Sequence, residues 1–205
     1  MKTYAFIDAS NTLSTTKGVL KFDIDWKKMF NHLKSKKWNC KKIYFYQGEK
    51  KSNKHKSYLS ELSKLGYEIR SKLTFIHKAK KQERKFVCKK CSYTNTVIFK
   101  KGDVHKANCD VELTVDAMNC AGESTRLLIF SGDGDFRYLI EDLLDKGAVI
   151  KLVSSTHKTK NQSSRFSTRL KDLIRQEEIR ASKDNNKTRI NFININDWRK
   201  KIKKA

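Results

Sequence analysis

Leu127-Leu128-Ile129-Phe130-Ser131-Gly132-Asp133-Gly134-Asp135-Phe136 is the stretch from which the fold of this 205-residue chain is read. Four consecutive apolar residues suit a strand buried on both faces, as strands of parallel sheets are. Turn-forming and acidic residues follow at once. Phe136, Leu139, Ile140, Leu143 and Leu144 then recur at helical spacing until Gly147, and Val149-Ile150-Lys151-Leu152-Val153 reads as the next strand. Strand, tight polar turn, helix, strand: this is one βαβ unit.

The same rhythm extends in both directions. Tyr4-Ala5-Phe6-Ile7 is a short apolar strand that gives way to Asp8-Ala9-Ser10-Asn11. Asp25 is placed to cap a helix running to about Lys37, with Trp26, Met29, Phe30 and Leu33 on one face. Ile43–Tyr46 is a second strand, residues 51–65 a helix stopped by Gly66, and Tyr67–Arg70 a third strand. Asn108 reads as the N-cap of a helix with Val111, Val115 and Met118 on one face, and Ser164 opens a last helix to about Ile179. The expected class is α/β, a mainly parallel sheet covered on both faces. Residues 73–105 break the rhythm with a basic, cysteine-bearing hairpin through Phe86-Val87 and Val97-Ile98-Phe99. The expected organisation is a domain over 1–180 carrying that insert, then a basic tail over 181–205.

Charge narrows the function. Lys and Arg number 46 against 22 Asp and Glu, a formal +24. Such a field draws polyanions, so nucleic acid is the expected partner: RNA, with single-stranded DNA as the alternative. The excess is unevenly spread: residues 72–106 carry net +9 and residues 151–205 net +11, whereas 107–147 carry nine acidic and three basic residues. No apolar run approaches the roughly 18 residues of a membrane span. The chain starts directly in a strand, without a leader-type apolar segment, which gives a cytoplasmic expectation and no membrane partner. Nothing in the pattern specifies an oligomer.

In open parallel sheets, ligands bind beyond the carboxyl ends of the strands. Asp8 and Asn11 follow one buried strand; Ser131, Asp133 and Asp135 follow another; Asp110 starts a helix. Three segments thereby deliver carboxylates to one rim. Oxygen-only ligands suit Mg²⁺ or Mn²⁺, and a metal so held promotes phosphodiester hydrolysis by acidifying water and offsetting charge on phosphate. Asp116, six residues past Asp110 and about 120° around the helix axis, is a weaker candidate. A phosphatase using an aspartyl nucleophile is a competing chemistry, but it wants a second Asp at position 10, which is Ser.

These residues also resemble a family. Phe6-Ile7-Asp8-Ala9-Ser10-Asn11 is similar to the first-strand motif of NYN domains, the LabA-like branch of the PIN-like nucleases. Lys106-Ala107-Asn108-Cys109-Asp110-Val111-Glu112-Leu113 resembles that family's Lys-Gly-x-x-Asp-x-x-Leu helix start, with Ala107 where Gly is usual. Ser131-Gly132-Asp133-Gly134-Asp135-Phe136 resembles its Ser-Gly-Asp-x-Asp-Phe signature. The resemblance implies a Rossmann-like PIN/NYN fold and a metal-dependent ribonuclease. Asp8, Asp110, Asp133 and Asp135 would be catalytic and metal-binding, with Asn11, Ser131, Asp116 and Lys106 in support. A non-catalytic RNA-binding protein of the same fold is the alternative.

Two features lie outside that pattern. Cys88-Lys89-Lys90-Cys91 has the spacing of half a tetrahedral zinc site, with His77, His105 and Cys109 nearest in sequence, a pair from a second chain as another source, and an unmetallated thiol pair as the other reading. Lys78, Lys80, Lys81, Arg84, Lys85, Lys89 and Lys90, interleaved with Phe86 and Tyr93, form a basic block suited to tracking single-stranded phosphates.

Overall fold

A computed structural model describes residues 1–49, 52–77, 81–100, 104–158 and 164–205. In chain order the strands and helices are β1 (Lys2–Asp8), α1 (Ala9–Leu13), α2 (Trp26–Lys34), β2 (Cys40–Glu49), α3 (Asn53–Leu65), β3 (Glu68–Leu73), β4 (Phe75–His77), β5 (Lys81–Val87), β6 (Thr94–Lys100), β7 (Val104–Lys106), α4 (Asp110–Cys120), β8 (Thr125–Phe130), α5 (Arg137–Asp145), β9 (Val149–Ser154), α6 (Thr168–Lys183), β10 (Ile190–Asn194) and α7 (Arg199–Ile202).

Six strands form one all-parallel sheet in the order β10-β9-β8-β1-β2-β3. Counting only sheet strands, this is the 3-2-1-4-5-6 order of doubly wound folds, whose strand order reverses between the first and fourth strands. Here those are β1 and β8. The apolar runs are explained by their position: Ala5, Phe6, Ile7, Leu127, Leu128, Ile129 and Phe130 are wholly buried at the centre of the sheet. One face packs Trp26, Met29 and Leu33 of α2, Leu59 and Leu62 of α3, and Ile202 of α7. The other packs Leu113 and Ala117 of α4, Leu139, Ile140, Leu143 and Leu144 of α5, and Leu170 and Leu173 of α6. The expected α/β class and parallel sheet are present.

Three local expectations are corrected. First, α4 starts at Asp110 after Cys109, and Asn108 instead accepts the Asp110 N–H at 2.9 Å. Val111 and Val115, expected on a core face, are 67% and 52% exposed. Asp110, Leu113 and Ala117 share one face at spacings of three and four, so turning Asp110 toward the sheet rim turns both valines outward. Second, α2 ends at Lys34 rather than near Lys37, with Ser35 capping and Asn39 in the left-handed region at φ 43°. Third, the segment expected to be a basic tail folds into the body. Ile190–Asn194 is the edge strand, and Ile195, Trp198 and Ile202 are buried on the α2 face. Its lysines sit on the outer side of a short amphipathic turn, and composition alone hides the three apolar anchors between them.

Trp198 lies against Trp38, Phe130 and His32, with ring centroids 5.5, 5.8 and 4.6 Å away. Trp198→Ala is expected to lower unfolding free energy by roughly 3–5 kcal/mol, measured by urea denaturation. A loss under ~0.5 kcal/mol would mean that the C-terminal segment is a dispensable appendage.

Candidate active site at the carboxyl edge of the sheet

The site is built where β1 and β8 end. Asp8 is the last residue of β1 and caps α1: its Oδ1 accepts the Asn11 N–H at 3.0 Å. Ser131 Oγ donates to Asp8 Oδ2 at 3.3 Å, and Asn11 Oδ1 accepts the Gly132 N–H at 3.0 Å. Thr12 Oγ1 donates to the Phe130 carbonyl at 3.2 Å. The turn after β1 and the turn after β8 are thus laced together.

The turn after β8 is held from outside as well. Gly132 O accepts the Ser167 N–H at 2.9 Å. A Cβ at Gly132 would stand 1.9 Å from the Arg165 carbonyl oxygen, and one at Gly134 would stand 2.4 Å from Ser167 Oγ. Gly132 is therefore required by close approach of the Arg165 backbone, and Gly134 makes room for the Ser167 side chain. Ser131 Oγ accepts the Asp133 N–H at 3.3 Å, and Asp133 Oδ1 that of Asp135 at 3.0 Å, which sets the turn for the short 3₁₀ segment Gly134–Phe136.

Asp8, Asp110 and Asp133 line one open cavity of about 310 Å³ with Ser10, Asn11, Ser14, Tyr46, Gln47 and Gly48. Burial raises the Asp8 pKa to about 6, and the Asp110 charge adds to it. Asp110 is also raised, first by burial and then by the charges of Asp133, Asp135 and Glu112. The four carboxylates named from sequence thus share one electrostatic neighbourhood. Other acids near the rim have cations: Glu112 with Lys72 at 2.6 Å, Asp116 with Arg70 at 3.0 Å, Asp135 with Arg169 at 3.5 Å. Among the described residues no ion pair reaches Asp8, Asp110 or Asp133. An all-oxygen donor set with unbalanced negative charge is what a hard divalent cation requires. Among the described residues no three His, Cys, Asp or Glu side chains are close enough together to hold a metal ion by themselves. Mg²⁺ ordinarily keeps several waters and takes oxygens from substrate phosphates.

The candidates separate by position. Asp135 is 80% exposed and lies outside the cavity lining, toward Arg169. Asp116 accepts from the Tyr46 hydroxyl at 2.9 Å as well as from Arg70, so it ties α4 to β2 and β3 behind the cavity. Of Lys106 only the backbone is placed, in the ladder opposite Phe75. A Cβ on Gly48 would be 2.4 Å from the Ala107 Cβ, so only small residues fit where β2 meets that loop. Tyr46, Gln47 and Gly48 were missed by the sequence reading; the signal for them is that β2 neighbours β1, so its end reaches the same rim. Gln47 Oε1 is buried without a donor among the described residues.

In the basic block, Arg84, Lys85, Lys89 and Lys90 are described, with Arg84 over the Phe99 ring at 5.2 Å; Lys78 and Lys80 lie outside the described residues, and of Lys81 only the backbone is placed. All five cysteines are free thiols. Cys109 is buried beside the acidic cavity and is not grouped with Cys88 and Cys91. Among the described residues, no helix is long and apolar enough to cross a membrane.

A family model described as NYN domain matches residues 2–173. Low amplitude and bright protein LabA of Synechococcus elongatus is 30% identical over 113 residues, 55% of this chain and 51% of that one, so the chain spans about half the length of this relative. The crystal structure of a protein of unknown function from Vibrio parahaemolyticus superposes with a TM-score of 0.58 at 19% identity, over 83% of this chain and 87% of that one, a likeness of fold.

A carboxylate raised by burial favours its protonated form in the folded protein, so at neutral pH its ionisation destabilises the fold. In chelator at pH 7.5, Asp8→Asn is expected to stabilise the protein by about 1–3 kcal/mol. The gain should shrink as pH falls from about 6 toward about 4, where Asp8 is protonated in both states. Thermal unfolding across that range is the measurement; a pH-independent difference would contradict the burial of this charge.

Proposed function

The chain belongs to the NYN domain family, a branch of the PIN-like nuclease superfamily, and we propose that it is a metal-dependent ribonuclease hydrolysing phosphodiester bonds at the Asp8–Asp110–Asp133 cavity. The observation that carries this reading is the convergence of three carboxylates, without an ion pair among the described residues, on one cavity at the strand-order reversal, the usual ligand position in doubly wound sheets. Asp8, Asp110 and Asp133 would hold Mg²⁺ or Mn²⁺, with Asp135 at the outer edge. Such an ion supplies positive charge toward phosphate oxygens and makes a nearby water more acidic.

The residues of the chain do the rest. Ser131 and the Asn11 N–H fix the Asp8 carboxylate by donating to its two oxygens, so it meets an incoming cation without reorganising. Without a cation, burial holds the Asp8 pKa at about 6, and a bound divalent ion would lower it and keep the carboxylate ionised. Ser10, Ser14, Tyr46 and Gln47 form a polar wall along which a ribose-phosphate strand would lie. Arg165 and Arg169, exposed on the segment that clamps the Ser131–Asp135 turn, offer the nearest phosphate contacts beyond the acidic rim. Arg84, Lys85, Lys89 and Lys90 on the ribbon would extend the attraction along a single strand.

That no three such side chains among the described residues are placed to hold a metal ion favours one second reading, an RNA-binding protein of this fold that does not cut. The two are separated by incubating labelled single-stranded RNA, and a DNA copy, with Mn²⁺, Mg²⁺ or chelator. Metal-dependent cleavage of RNA is expected, reduced at least ~10²-fold in Asp133→Asn/Asp135→Asn. Binding indifferent to metal and to these substitutions, with the RNA intact, establishes the non-catalytic reading. Reversing Arg84, Lys85, Lys89 and Lys90 to Glu is expected to weaken RNA binding and to flatten the slope of log K against log salt by up to about 3. An unchanged slope would remove the ribbon from the RNA path.

A further inference from the structure

Strands β5 and β6 form a two-stranded antiparallel ribbon with Cys88 and Cys91 at its tip. Cys88 directly follows β5 and Cys91 stands three residues on, within the turn that leads to β6. Ser92 N–H donates to the Cys88 carbonyl and Cys88 N–H to the Tyr93 carbonyl, both at 2.9 Å. Ser92 takes the left-handed region at φ 55°, which lets the chain close behind the pair. The tight turn places both cysteines at the ribbon tip with the two-residue spacing that thiolate pairs of tetrahedral zinc sites use.

A structural zinc site needs four ligands. Among the described residues no His, Cys, Asp or Glu completes even a group of three with this pair. Cys109 belongs to the core. His77 and His105 sit in the β4–β7 ladder, separate from the β5–β6 ladder that ends next to Cys88. The seven residues of β5 alone span about 20 Å. That length separates the Cys88 end of the ribbon from the end that leads in sequence to β4 and β7.

We propose that two copies of this chain meet tip to tip, so that Cys88 and Cys91 of each supply the four thiolates of one shared Zn²⁺. A two-fold axis through the ion makes the contact self-complementary, as in most homodimers. Four thiolates and one Zn²⁺ leave a formal charge of −2, and any protonated thiol gives its proton to solvent as the ion binds. Lys89 and Lys90 of both copies surround that charge, which offsets the repulsion that two basic tips would otherwise meet. Phe86, Val87 and Tyr93 beside the turn are 52%, 64% and 67% exposed. A two-stranded ribbon with such apolar surface is marginal alone in water, and a second tip covers part of it. This site is independent of the acidic cavity and of whether that cavity cuts RNA.

The test is zinc content and solution mass of the full chain, purified with zinc under a phosphine reductant. The expected result is 0.5 zinc per chain in a dimer that becomes monomeric in a strong chelator and re-forms with Zn²⁺ but not Mg²⁺. Cys88→Ser/Cys91→Ser should be a zinc-free monomer with an unchanged far-UV spectrum and melting temperature, which separates a lost bridge from a lost fold. One zinc per chain, no zinc, or a dimer that survives both chelation and the double substitution would each overturn the proposal.

Discussion

Ser131 Oγ donating to Asp8, and Asn11 accepting from Gly132, cross the one place in the sheet where neighbouring strands send their connections to opposite faces. In a doubly wound sheet the chain ends diverge at that point and leave a crevice. Left alone, the crevice would be two independent loops. The lacing makes it a single rigid rim, and the segment at 165–167, pressed against Gly132 and Gly134, locks it from the outer side. The aspartate positions follow from this: Asp8 from the end of β1, Asp133 from the end of β8, and Asp110 from a helix whose rotation is set by the need to face them.

The electrostatics run against the composition. A chain with a formal +24 had ample lysine and arginine to neutralise its carboxylates. It pairs Glu112, Asp116 and Asp135 with cations but leaves Asp8, Asp110 and Asp133 facing one another in a partly buried cavity. Burial and mutual repulsion raise the first two. Unbalanced charge of this kind lowers stability unless a cation occupies the site, which is the compromise between stability and function common at reactive centres. On the proposed function, the chain's net positive charge would draw polyanions that an acidic spot would repel on its own.

Much of this was legible in the sequence. The apolar runs ending in Asp8 and in Ser131-Gly132-Asp133 mark central parallel strands, because strands covered on both faces need no alternation. Asp110 was legible by its place at a helix start. Failures occurred where a local pattern had two solutions. Val111, Val115 and Met118 make as good a helical stripe as Leu113 and Ala117, and nothing within the helix chooses between them. Asp116 has the residue type of a site member, yet its hydroxyl and guanidinium partners, Tyr46 and Arg70, come from two strands far away in sequence. Ile195, Trp198 and Ile202 are diluted by lysines, so their role as core anchors shows only once β10 is seated beside β9.

By itself, then, the sequence determined the alternation of strands and helices, the polar breaks at the strand ends and the basic field around an acidic segment, because each follows from periodicity, turn chemistry or charge count within a short window. Only the tertiary structure decided which carboxylates share a cavity, which are tied away by Arg70 or Lys72, which face of α4 is inward, and that the Cys88–Cys91 pair stands alone at a ribbon tip. Those outcomes depend on contacts between segments tens of residues apart, and their physical cause, the strand order and the reversal between β1 and β8, is a property of the assembled sheet and of no single stretch of chain.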